Sequence, residues 1–144
     1  MEQTFSPVQR VRITDMHGNV IVRGWEQQSI KVRSEKAIGR VRQESDTLIL
    51  GDSSKLVEIQ VPVETVIEAN DISGDVTVED VRQVMLHDIS RNVTVKNVAG
   101  DVVVDDISAR VAISGVRGTV SIGDVGAEVK VEQVDGDVRI ADVG

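Results

Sequence analysis

The chain has no cysteine, no tyrosine, two prolines and only two aromatic residues, Phe5 and Trp25, in 144 residues. Without cysteine there is no disulfide and no thiolate metal site, and the redox compartment is left open. A net charge of −8 with so few rings excludes the basic face and the stacking platforms that nucleic-acid binding uses. No apolar run is long enough to insert into a bilayer, and the opening from Met1 to Pro7 lacks the apolar core of a signal peptide. This predicts a cytoplasmic protein if Met1 is the native start. It predicts a cell-surface or extracellular one if the chain is a domain excised from a longer protein. Linkers, low-complexity segments and helical periodicity are also missing. With 40% apolar and 28% charged residues, the chain reads as one folded domain over residues 1–144.

What is present is a nine-residue period. Val84, Val93, Val102, Val111, Val120, Val129 and Val138 open seven units of the form Val-x-(Val/Ile/Leu)-x-x-(Val/Ile)-x-x-x. The first, third and sixth positions hold 21 residues, of which 20 are Val or Ile and one is Leu86. Alternation of β-branched residues with polar ones is the signature of a half-buried strand. The intervening Asp, Gly, Ser and Asn supply turns.

A second period of 18 lies over the first. Asp88, Asp106, Asp124 and Asp142 follow it, as do Ser90, Ser108, Gly126 and Gly144, and Gly100, Gly118 and Gly136. Alternate nines therefore match and adjacent nines differ. The expected fold is all-β: a single-domain β-solenoid, or β-helix, of about 18 residues per coil, stacked through parallel strands. A run of antiparallel hairpins is the alternative, and it leaves the matching of alternate units unexplained. Crossovers between parallel strands favour a right-handed coil over a left-handed one.

The regular part is predicted over 67–144 and a less regular part over 1–66. Val11 to Asn19 and Val20 to Trp25 resemble further units. Val41 to Leu50, with Ser45-Asp46 between its arms, reads as a hairpin. Leu56 to Val61 reads as a strand stopped by Pro62.

The segments VRITDMHGNVIVRGW, VEIQVPVET, DISGDVTVEDV and AGDVVVDDIS, in this order, resemble a bacterial family of putative-adhesin β-strand-repeat domains of unknown function. The likeness runs from about Thr4 to Gly144. It implies a β-solenoid, often on secreted or membrane-attached proteins, and brings no catalytic residues with it.

Three groups of residues are candidate sites. The column Asp88, Asp106, Asp124 and Asp142 would form a row of like charges. It is expected to be a structural turn ladder, each Asp bonded to nearby backbone, because Asp favours turns for local reasons. A calcium row, as in nonapeptide β-rolls, is the competing reading, but the Gly-Gly-x-Gly part of that motif is absent. His17 and His87 occupy different repeat positions and are not expected to converge. His87, Asp88 and Ser90 have the residue types of a hydrolytic triad, yet adjacent strand residues should point to opposite faces. A basic cluster (Arg10, Arg12, Arg23, Lys31, Arg33, Lys36, Arg40, Arg42) is expected to be a solvated face. Gly115, Gly118 and Gly123 are corner glycines, and Trp25 is expected to close the end of the core.

The final unit, with Val138, Ile140 and Val143, keeps the full pattern and is expected to form a self-association edge. The sequence thus predicts no enzyme, no catalytic residue, no cofactor and no metal. The first functional reading is a structural, self-associating scaffold whose partner is itself. The second is an adhesin-like surface domain binding a protein or glycan on a flat sheet face. The third is a calcium-binding β-roll.

Overall fold

Sixteen strands and no helix make up residues 2–143, the part of the chain described by the computed structural model. The less regular part supplies β1 (Glu2–Phe5), β2 (Arg10–Met16), β3 (Val20–Trp25), β4 (Ile30–Ser34), β5 (Arg40–Glu44), β6 (Thr47–Ser53) and β7 (Val57–Pro62). The repeat supplies β8 (Val66–Ile72), β9 (Val76–Val81), β10 (Gln83–Ile89), β11 (Val93–Val98) and β12 (Val102–Ile107). It continues with β13 (Val111–Val116), β14 (Val120–Val125), β15 (Val129–Val134) and β16 (Val138–Ile140). Gly144, counted above in an 18-residue series, lies outside the described residues.

Consecutive strands of the repeat alternate between two eight-stranded sheets. One runs β1-β4-β7-β3-β9-β11-β13-β15 and the other β16-β14-β12-β10-β8-β2-β6-β5. Within the repeat all pairing is parallel and follows the longer sequence period. Val84 faces Val102, Val102 faces Val120, and Val120 faces Val138. In the other sheet Val93 faces Val111 and Val111 faces Val129. Upstream, Ile67 faces Val84 and Val76 faces Val93, one residue closer in sequence. The turn at Arg82 absorbs that missing residue, so the register survives.

Inward side chains of both sheets form one hydrophobic cluster. All fifteen first, third and sixth residues of the five units from Val84 to Val125 are at most 2% exposed. Small β-branched side chains on a tight parallel register account for this packing.

The expected hairpin is present: β5 and β6 pair antiparallel, with Glu44 opposite Thr47. The N-terminal arrangement goes beyond the sequence expectation. β2 lies between β6 and β8, and β3 lies between β7 and β9. The first layer of the chain is therefore in the interior of the stack. Beyond β7, β4 and β1 add antiparallel, and β5 does so beyond β6. Ile38, 8% exposed in the segment between β4 and β5, belongs to the core at this end.

Candidate functional site

The aspartate column is longer than the sequence period indicates. Asp52, Asp15, Asp71, Asp88, Asp106, Asp124 and Asp142 occupy the same place in successive layers of one sheet, and all have positive φ, between 46° and 59°. Asp tolerates this left-handed conformation better than most residues. The strand register skips the residue: Leu86 faces Val104 and His87 faces Asp105, after which Ile89 faces Ile107. The left-handed residue works as a bend that turns the sixth position back into the core. In the other sheet Asp80, Asn97, Gly115 and Gln133 hold the same place with positive φ.

Side-chain caps of backbone N–H groups are found elsewhere, at the residue just before β3, β9 and β11 in one sheet and before β12 in the other. Asn19 accepts from Asp75 N at 2.8 Å, Asp75 from Asn92 N at 3.0 Å, and Asn92 from Arg110 N at 3.1 Å. Asp101 accepts from Thr119 N at 2.9 Å. Each reaches into the next layer, so these bonds help hold layers in register. The signal in sequence was the Asn or Asp in the ninth position of several units.

The ladder is electrostatically loaded. Desolvation, then the neighbouring Asp88 carboxylate, raises the pKa of Asp71 above its ordinary 3.8. Desolvation, then the charges of Asp105, Asp142 and Asp106, raises that of Asp124 in the same way. A shallow groove of about 440 Å³ runs along Asp88, Asp106, Ser108, Asp124 and Asp142.

The expectation that His87 and Asp88 point to opposite faces is corrected: both are exposed, because the left-handed bend at Asp88 interrupts the alternation. His87 instead lies beside the next strand, its Nδ1 3.6 Å from Asp105 and its Nε2 3.6 Å from Asp106. These three residues offer donor atoms within 4.8 Å of one another, a set a divalent cation could use. Their side chains are 44–53% exposed, so solvent competes for every one of those atoms. His17 lies in the turn after β2, with β8 between β2 and β10, so the two histidines do not meet.

Seven of the eight cations in the basic cluster have an acidic partner. Arg10 and Arg12 pair with Glu68, Arg23 with Glu79, Lys31 and Arg33 with Glu2, Arg40 with Asp15 and Asp52, and Arg42 with Glu44. Trp25 is partly buried, opposite Pro62, and its indole N–H donates to Ser29 O at 2.8 Å.

The two ends of the stack differ. β15 and β16 are the last strands of their sheets, each paired on one side only. In β15, Val129, Val131 and Val134 are half-buried against the core, while Lys130 and Glu132 project outward as an ion pair of 3.2 Å. Val138, Ile140 and Val143 are 42%, 48% and 43% exposed.

No family model matches the chain, and no curated protein matches it. Among solved structures it is similar to a putative cell adhesion protein from Clostridium sporogenes, at 11% identity over 98% of both chains with a TM-score of 0.40. It is also similar to a putative adhesin from Parabacteroides merdae, at 10% identity over 100% of this chain and 95% of that one, with a TM-score of 0.34.

Proposed function

We propose that this chain is a non-enzymatic structural module, a right-handed β-solenoid scaffold that associates with further copies of itself through its β15–β16 end. One contrast within a single column carries the reading. Val120, Ile122 and Val125 are at most 2% exposed, whereas their partners in the next layer, Val138, Ile140 and Val143, are 42–48% exposed. The side chains are of the same kind. They differ in that β14 has a strand on both sides and β16 on one. An unpaired strand edge over apolar side chains is a template for another strand, which would complete its hydrogen bonds and cover those side chains. Most charged side chains of the strands pair locally, and the one histidine–carboxylate group shown to converge among the described residues, His87 with Asp105 and Asp106, is about half exposed to solvent, which is in keeping with the non-enzymatic half of the reading.

Sedimentation velocity over about a hundredfold concentration range tests the proposal. The native sequence should gain mass with concentration, and Ile140→Lys should stay monomeric with an unchanged strand signal in circular dichroism. A native sequence that is monomeric throughout would overturn it.

A further inference from the structure

We infer that the groove at the corner after β9 is a binding site for an uncharged oligosaccharide, held by side chains rather than by a strand edge. The inference is independent of the proposed self-association, which concerns a different part of the surface.

This corner is the one at which the nine-residue period of the repeat slips. Two residues, Arg82 and Gln83, separate the inward Val81 from Val84, whereas three separate Val98 from Val102 and Val116 from Val120. The corner in the layer above is long, with Val63 to Val66 between Pro62 and the inward Ile67, and Arg82 N donates to its Thr65 O at 3.1 Å. A short corner beside a long one leaves a notch in the stack. A groove of about 600 Å³ lies there, lined from Val63 and Glu64 to Arg117. That volume falls within the roughly 300–1,000 Å³ of small-molecule sites.

Small residues keep the groove open. Arg82, Ala99 and Arg117 occupy the same place in successive layers, directly after Val81, Val98 and Val116, which pair in register. Ala99 leaves a gap between two arginines whose backbones stand about 10 Å apart, two strand spacings. Gly115 makes room for Asn97, since a Cβ there would lie 2.7 Å from Asn97 Oδ1.

The chemistry of the lining selects the ligand. Glu64, Asp80, Arg82, Asn97 and Arg117 are exposed, and none has a side-chain hydrogen-bond or ion-pair partner among the described residues. Two cations and two anions cancel, so the groove has no excess charge to hold a polyanion. The backbone N–H groups of Arg82, Ala99, Gly100, Arg117 and Gly118 all donate to a neighbouring layer, so no strand edge is open to an extended peptide. What remains is a set of planar donors and acceptors around the apolar Val63 and Ala99. Neighbouring hydroxyls of a sugar ring match such groups, donating to carboxylate and amide oxygens and accepting from guanidinium N–H. The groove has no aromatic ring, so binding rests on these bonds and each substitution should be felt.

The test is a titration of the isotope-labelled chain, followed by its amide resonances, with millimolar trisaccharides of glucose, mannose, galactose and N-acetylglucosamine. At least one should shift the amides of Arg82, Ala99 and Arg117 saturably. A trisaccharide of galacturonic acid and a triglutamate peptide should leave them in place. Ala99→Leu fills the gap without removing a polar group, and Arg117→Gln removes one guanidinium. Each should weaken binding at least tenfold, with the thermal melt in circular dichroism unchanged. If no neutral trisaccharide saturates these amides, or Ala99→Leu binds as tightly as the native chain, the site is overturned. Tighter binding of either acidic probe there would overturn the uncharged class.

Discussion

At the level of single residues, the aspartates of the ladder serve the backbone first. Their left-handed φ is what lets His87 and Asp88 both face water while Leu86 and Ile89 both face the core. The cost is a row of carboxylates. A carboxyl whose pKa is higher in the folded chain than in the unfolded one holds its proton more tightly when folded. Its charge then opposes folding above that pKa, and the opposition is relieved as pH falls through it. Asp71 and Asp124 are raised in this sense, so melting temperature should rise as pH is lowered from neutrality through their raised pKa values. Asp124→Asn keeps a side chain that accepts positive φ. It should raise the melting temperature at neutral pH and flatten the acid dependence. A thermal shift series at several pH values reads both effects. Millimolar calcium should give the same melting temperature as sodium chloride of equal ionic strength, and chelator should change nothing; a calcium-specific rise reversed by chelator would restore the β-roll reading. The identity and spacing of Asp88, Asp106, Asp124 and Asp142 were plain in the sequence. Their conformation was not, because Asp serves left-handed bends and capping turns equally well.

Among strands, the stack depends on close approach as much as on apolar side chains. Val104 is 1% exposed, between β10 and β14. Val104→Asp would bury a carboxylate without a partner and should cost several kcal/mol, enough to lower or abolish the cooperative melt. Gly118 stacks over Gly100, where an added Cβ would lie 2.6 Å from the Gly100 carbonyl oxygen. Gly118→Ala should therefore destabilise by roughly 1–3 kcal/mol in chemical denaturation, although it adds a single methyl group at the surface. The inward positions, the Ser45-Asp46 hairpin and the longer period were legible because each rests on local alternation or turn chemistry. Gly100, Gly118 and Gly136 were legible as a series, whereas their reason, contact between layers, requires the register.

For the whole molecule, the sequence conveys most of the strands, though not β1 or β4, and not the order in which the early ones lie. Nothing local in Val11 or Val20 says that their neighbours come from Leu48 and Ile67, or from Val57 and Val76. Those pairings are set by long-range packing, and the antiparallel finish at one end follows from the same rearrangement.

The interior position of β2 and β3 makes the molecule divisible from one side only. Layers added after β9 each touch the one before, so they can be removed in turn, as in any linear array of nearest-neighbour units. Deleting residues 129–144 should leave a shorter protein that still melts cooperatively. Deleting residues 1–25 removes the strands that join β6 and β7 to β8 and β9, and should leave two fragments of sheet with no common interior. Limited proteolysis of the two truncated chains, with the first resistant and the second digested, is the outcome expected. The strands β2 and β3 are thus the keystone of the fold: each is held from both sides by strands that lie far along the chain.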